Sequence, residues 1–458
     1  MTDLGALHAA AAYADDFLSR LAERPVGSRS TAEELRAVLG GPLPEDPERP
    51  ADVIDALTKG AEPGVVATAG PRFFGFVIGG ALPTTVAADW LTSVWDQNAG
   101  LYAAGPAASV VEEVCGSWLK EVLRIPADAS FSLVTGCQMA HFVGLASARH
   151  HVLAEAGWDV ERDGLQGGPP IAVIAGAERH VTIDRALRYL GMGTSRVIEI
   201  PADEQGRMRL DLTRAALYGT EGPTIVVTQA GNVNTGAFDP IGAICDSAHL
   251  KGAWVHVDGA FGQWAAASDD RAFLLDGTER ADSWATDAHK WLNVPYDSGL
   301  AFCAHPAPHR AAMSVHASYL VQSGDDRERD QMDWTPEFSR RARGFAVYAA
   351  LRSLGRKGVA EIVDRCCSNA RRFAEALGKE PGVEIVNDVV LNQVLVSFGD
   401  NDRTRGVIER IQKDGTCWLG GTVWHGRALM RISVSNWSTT TADVDRSVDA
   451  ILRCAREG

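Results

Sequence analysis

AWVHVDGAF, residues 253–261, is rich in β-prone side chains on successive positions and then turns at Asp258-Gly259. A strand with one wet face alternates polar and apolar residues. This one does not, which predicts a strand covered on both faces. Five more stretches share that character: FSLVTG (131–136), IAVIAGA (171–177), RVIEI (196–200), TIVVTQAG (224–231) and GLAFCA (299–304). Helical patterns lie between them. Strand and helix alternating this often predict a mostly parallel sheet with helices on both sides.

Ligands of such sheets sit outside the carboxyl ends of the strands. After the first strand, Gly136-Cys137-Gln138 opens a helix, and free N–H groups there favour a phosphate. By itself that is weak, since most such glycines only make the turn. His180 follows the second strand, and Asn232 follows TIVVTQAG. Asp258 ends the opening stretch, with His256 on the same side two residues earlier. A carboxylate there is costly unless it meets a cation or caps a helix.

Lys290 comes 32 residues later in SWATDAHKWLNVPYDSG (283–299), between His289 and Trp291. Lysines among apolar neighbours are rare unless paired or used. Desolvation favours the neutral amine, a nucleophile that condenses with aldehydes. A phosphate cradle, a planar stacking residue, a carboxylate and a lysine are the four parts that hold pyridoxal 5′-phosphate. Each is weak alone; together at one sheet edge they are strong.

With these residues in view, the chain resembles the group II pyridoxal-phosphate-dependent amino-acid decarboxylases, a family that includes aromatic-amino-acid and glutamate decarboxylases. The stretches that carry the resemblance are PRFFGFVIGG, DQNA, HVDGAFG, ADSWATDAHKWLNVPYDSG, PEFSRRAR and MRISVSNW, between about Pro71 and Trp437. The resemblance implies the aspartate-aminotransferase-like fold (fold type I). It makes Lys290 the Schiff-base lysine, Asp258 the partner of the pyridine nitrogen and His180 the stacking residue. Gly136, Cys137, Gln138 and His289 would surround the phosphate, and Asn232 stands where better-known members have a threonine. The phosphate turn departs from the family pattern by lacking a hydroxyl. The resemblance also implies a homodimer with sites at the subunit interface.

The implied reaction is decarboxylation of an L-amino acid to its amine and CO2. Aldehyde-forming oxidative deamination and carbon–carbon cleavage use the same machinery and are the alternatives. An aminotransferase would depend on a keto-acid acceptor. The intact Lys290 and Asp258 oppose a non-catalytic binding protein, and a nicotinamide enzyme lacks its G-x-G-x-x-G after the first strand. Arg72, Arg427 and Arg431 are candidates to hold a carboxylate. Phe73, Phe74, Phe76, Trp95 and Tyr102 are candidates to line a pocket.

The chain has 458 residues, 46% of them hydrophobic and 22% charged, and a formal net charge of −15. That field opposes nucleic acid and anionic membrane. Eight scattered cysteines without CxxC or zinc-ligand spacing fit a reduced, cytoplasmic protein, and no run approaches a membrane span. Three parts are expected: an N-terminal helical segment (1–80), a large cofactor-binding domain (81–335) and a small α+β domain (336–458). The charged stretch Ser314–Pro336 is expected to form a lid. Relatives carry a proton-donating tyrosine there; the matching position is Gln331, with Tyr319 and His316 as other donors.

Overall fold

The computed structural model describes residues 4–316, 320, 322 and 328–457. Tyr319 and Gly324 of the expected lid lie outside them.

Three helices come first: α1 (Gly5–Arg20), α2 (Ala32–Leu39) and α3 (Pro50–Ala61). Thr31 caps α2 by a reciprocal box with Glu34, which satisfies two of the N–H groups a helix start leaves free. Residues 62–82 then run largely without regular structure. Helices α4 (Pro83–Trp95) and α5 (Pro106–Val122) lead to the sheet; proline at the first position suits both starts.

The main sheet has seven strands: β1 (Ser130–Val134), β2 (Ala172–Gly176), β3 (Val197–Ile200), β4 (Thr224–Gln229), β5 (Trp254–Asp258), β6 (Ser283–Asp287) and β7 (Gly299–Cys303). Their order is β1-β7-β6-β5-β4-β2-β3. Only β7 opposes the rest, pairing antiparallel with β1 and β6. Strands β1 and β4–β7 are buried at every residue, as their unalternating sequences require. Trp254, Trp264, Trp284 and Trp291 are among the largest fully buried side chains, each stabilising the fold by ~2–3 kcal/mol. β3 lies at the sheet edge and is only partly covered.

A second, antiparallel sheet follows, made of β8 (Glu384–Ile385), β9 (Gln393–Ser397), β10 (Gly420–Trp424) and β11 (Arg427–Ser433), in the order β10-β11-β9-β8. Gly420-Gly421 and the two-residue β8 give too little periodicity to read from sequence. One long helical element, Gly344–Leu377, covers the start of the small domain and is broken at Gly355, whose φ of 60° is left-handed. The N-terminal segment joins this part of the molecule: Phe74 N–H donates to Trp418 O, and Phe73 stacks on Trp418 at 5.0 Å.

The expected lid is in part packed structure. Gln331–Trp334 form a short 3-10 helix, and Asp330, Gln331, Met332 and Asp333 are buried. Gln331 Nε2 donates to Ser109 O, so this side chain is held in the fold. Arg329 explains the anchorage, lying 4.0 Å over Phe131 and 4.7 Å over Trp334.

Candidate active site

All the strands except β7 run the same way, so their carboxyl ends share one edge. The sequence-selected residues lie there: Gly136 to Gln138 after β1, His180 after β2, Asn232 after β4, Asp258 at the end of β5, and His289 and Lys290 after β6.

Lys290 sits on one short helical turn, Ala288–Trp291. Its Nζ is 2.9 Å from Asp287 Oδ2, three residues back on the same turn, and 19% of the side chain is exposed. Burial pulls the amine's pKa down, but Asp287, with smaller help from Asp258, outweighs it, and the net shift is upward. Lys290 is therefore an ammonium in this geometry. Desolvation alone predicted the neutral amine; the carboxylate on its own turn reverses that expectation.

Asp287 is the residue sequence reading passed over. It is buried, and besides Lys290 it accepts from Cys137 N–H at 2.6 Å and lies 3.4 Å from His289 Nε2. It thus ties the lysine turn to the start of helix α6 (Cys137–Glu155). The signal was its place at the end of a strand, one helical turn before the lysine.

His289 Nδ1 accepts from Ser298 N–H at 3.1 Å, its ring packs on Tyr296, and its Cε1 borders Gly136. Gly136 itself is pressed against Gly299, where an added Cβ would come within 2.4 Å of it. Gly79 is tighter still: a Cβ there would meet Lys290 O at 1.8 Å. The PRFFGFVIGG stretch thus passes directly against the lysine's backbone, and only glycine fits.

Asp258 is buried, and its Oδ1 accepts from Ala260 N–H at 3.1 Å. His180 caps the helix Val181–Tyr189; its Nδ1 lies 2.7 Å from Thr182 Oγ1. Burial lowers its pKa against the pull of Asp258, with Lys290 and Arg431 lowering it further. Gln138 Nε2 donates to Thr182 O, while its Oε1 is buried without a partner. Asn232 reaches the same edge, but its amide is spent: Nδ2 donates to Glu178 Oε2 at 3.0 Å, and Oδ1 accepts from Asn234 and Thr235 N–H.

Of the three arginines, Arg72 is buried and bonded to Thr416 O, Ala22 O and Arg24 O. Arg427 pairs with Glu384 on the surface. Arg431 alone acts on the site. It is largely buried, donates to Val233 O, and lowers the pKa of His180. Phe73 and Phe74 are core, whereas Phe76 and Trp95 are exposed.

A buried carboxylate, an amine, an imidazole, a guanidinium and an orphaned amide oxygen gather at one sheet edge, a donor and acceptor set that suits a charged, planar, phosphorylated ring. Lys290 can bond an aldehyde, Asp258 can face a ring N–H, and the α6 start with Arg431 can hold an anion.

The pyridoxal-dependent decarboxylase conserved domain matches residues 33–399. The chain is 26% identical to an aromatic-L-amino-acid decarboxylase of Bacillus atrophaeus, over 96% of this chain and 93% of that one. It is 28% identical to an L-2,4-diaminobutyrate decarboxylase of Rhizobium meliloti, over 81% and 75%. The solved structure of Oryza sativa TDC with PLP and tryptamine shares the fold, with a TM-score of 0.91 at 24% identity over 99% and 97% of the two chains.

Fold and edge define a fold type I pyridoxal-phosphate enzyme. The chain belongs to the pyridoxal-dependent decarboxylase family: a carboxy-lyase that uses pyridoxal 5′-phosphate to decarboxylate an amino acid.

Proposed function

We propose that Lys290, Asp258 and His180 are the catalytic residues of this decarboxylase, and that the product is the amine of an L-amino acid plus CO2. The observation that carries the assignment is the meeting of Lys290, Asp287 and Cys137 at one point, 2.9 and 2.6 Å around one carboxylate.

The cofactor supplies an electron sink for the pair left at Cα when CO2 departs. The chain's part is position and charge. Lys290 would bond the cofactor aldehyde, with Asp287 beside it to balance charge. Asp258, fixed by Ala260 N–H, would keep the ring nitrogen protonated, which a neutral amide cannot do. His180 is tethered through Thr182, which would hold its ring ready to stack on the cofactor. Gly136, Cys137, Gln138 and His289 bound the phosphate pocket. Asn232 supports this edge through Glu178. Arg431 would hold an anion, the substrate carboxylate or the cofactor phosphate, whose shared chemistry is a paired oxygen acceptor.

We assign the protein to the cytoplasm, as a homodimer. Its eight cysteines are all free and buried, and no described helix is long and apolar enough to cross a membrane. Helix α4 exposes Trp90, Leu91, Val94 and Trp95, more apolar surface than one helix normally leaves to water. The three-part division at residues 80 and 335 goes with this assignment. Gly79 and Phe74 show how closely the N-terminal part and the rest interlock.

The test is product analysis. Purified protein with cofactor and an amino-acid mixture, read by mass in air and under nitrogen, should give amine and CO2 in both. Aldehyde with ammonia and peroxide in air would overturn the assignment of product, and a cleaved carbon chain would overturn the reaction.

A further inference from the structure

Four buried side chains run inward from Asp258. His141, on α6, has its Nε2 3.5 Å from Asp258 Oδ2 and 3.4 Å from Cys137 Sγ. Its Nδ1 is 3.0 Å from His256 Nε2, on β5. His256 Nδ1 is 2.8 Å from Ser283 Oγ, at the start of β6. Ser283 Oγ accepts from Trp254 Nε1–H at 2.9 Å. Both imidazoles are fully buried.

The direction of this chain is set from the Asp258 end, where an acceptor-only carboxylate outweighs the weak S–H donor of Cys137. An unprotonated Nε2 on His141 would set its lone pair against a carboxylate, so Nε2 carries the hydrogen and Nδ1 accepts. His256 must then donate from Nε2, which leaves its Nδ1 to accept from the Ser283 hydroxyl. Trp254 can only donate, and it does so to Ser283. Every link agrees. Burial pushes both imidazoles down to about 3, so they are neutral at pH 7. His180, Asp287 and Lys290 also act on His141, and Asp258 acts on His256. Gly144 of α6 makes the room: a Cβ there would meet the His256 ring at 2.7 Å.

We propose that His141 and His256 are positioning residues for Asp258, a one-way hydrogen-bond chain that fixes the orientation of its carboxylate and leaves its negative charge uncompensated. The consequence rests on the reading of Asp258 as the ring-nitrogen partner; the chain's direction does not. An uncompensated carboxylate is the stronger acceptor toward a ring N–H.

Nitrogen-15 NMR of the full-length apoprotein, labelled at histidine, tests the direction without cofactor. At pH 7 both rings should be neutral with hydrogen on Nε2. A His141 protonated on Nδ1, or on both nitrogens, would overturn the proposal. Two variants test the consequence. His256→Gln keeps a donor near the Nε2 position and His256→Asn does not. Apoprotein affinity for pyridoxal 5′-phosphate should be up to about tenfold weaker in the Asn form than in the Gln form, the weight of one buried hydrogen bond between neutral groups. Equal affinities would refute the positioning role. A correct tautomer in a protein that cannot bind cofactor at all would instead refute the assignment of Asp258. If either variant fails to fold, the NMR result on the unsubstituted chain decides.

Discussion

Two ion pairs stand near the carboxyl end of strand β1, and they differ in one respect. Arg340 and Glu112 are wholly buried, paired at 2.8 and 2.9 Å, with Arg340 also donating to Ala99 O and Leu133 O. Lys290 and Asp287 are paired as closely, but the lysine side chain keeps 19% of its surface open. A planar guanidinium fills its site with carbonyls and carboxylate and has no further chemistry to offer. An ammonium held by one carboxylate at an open edge can be released. The first pair binds the PEFSRRAR stretch to helix α5 and strand β1; the second is a reactive group kept charged until needed.

That contrast can be broken by substitution. The largest effect should come from Lys290→Ala: turnover should fall by more than about 10⁴-fold, over 5 kcal/mol by rate arithmetic, with unchanged circular dichroism. Activity within tenfold of the unsubstituted protein would end the functional side of the comparison. Next, Glu112→Ala strands a buried guanidinium and should cost about 3–5 kcal/mol of stability in denaturant unfolding. A loss under about 1 kcal/mol would mean the pair is not the anchor described. Asp287→Asn removes the carboxylate that raises the Lys290 pKa, so the amine should titrate lower. The pH dependence of pyridoxal reduction onto the apoprotein would read this, with turnover down about tenfold or more. An unmoved profile would place the charge control elsewhere.

A smaller effect follows from the histidines. His309, between Ser130 Oγ and Trp334 O, is pushed down to about 3 by burial. Its folded pKa lies below the unfolded 6.5, so the unfolded chain binds the extra proton. Stability is then lost as pH falls from about 6.5 toward 3, by up to ~1.4 kcal/mol per unit. His309→Gln should flatten the slope of stability against pH between 4 and 6 by about one proton. An unchanged slope would contradict the burial.

Much of this was legible in the sequence because apolar strands buried on both faces do not alternate. The lysine stretch and the strand ending at Asp258 announced both sheet and site. Asp287 was missed because it is one of two acids in that stretch, and only its place at the strand end, one turn before Lys290, sets it apart. The short β8 and glycine-rich β10 were missed for want of period. The lid was misread in part because charge suggested mobility, while Asp330, Gln331 and Asp333 are buried by partners distant in sequence.

The most direct test is to load the protein with pyridoxal 5′-phosphate, reduce it with borohydride and map the modified peptide. The account predicts one labelled site, on Lys290, absent after Lys290→Ala. A label on another lysine, or none, would contradict it.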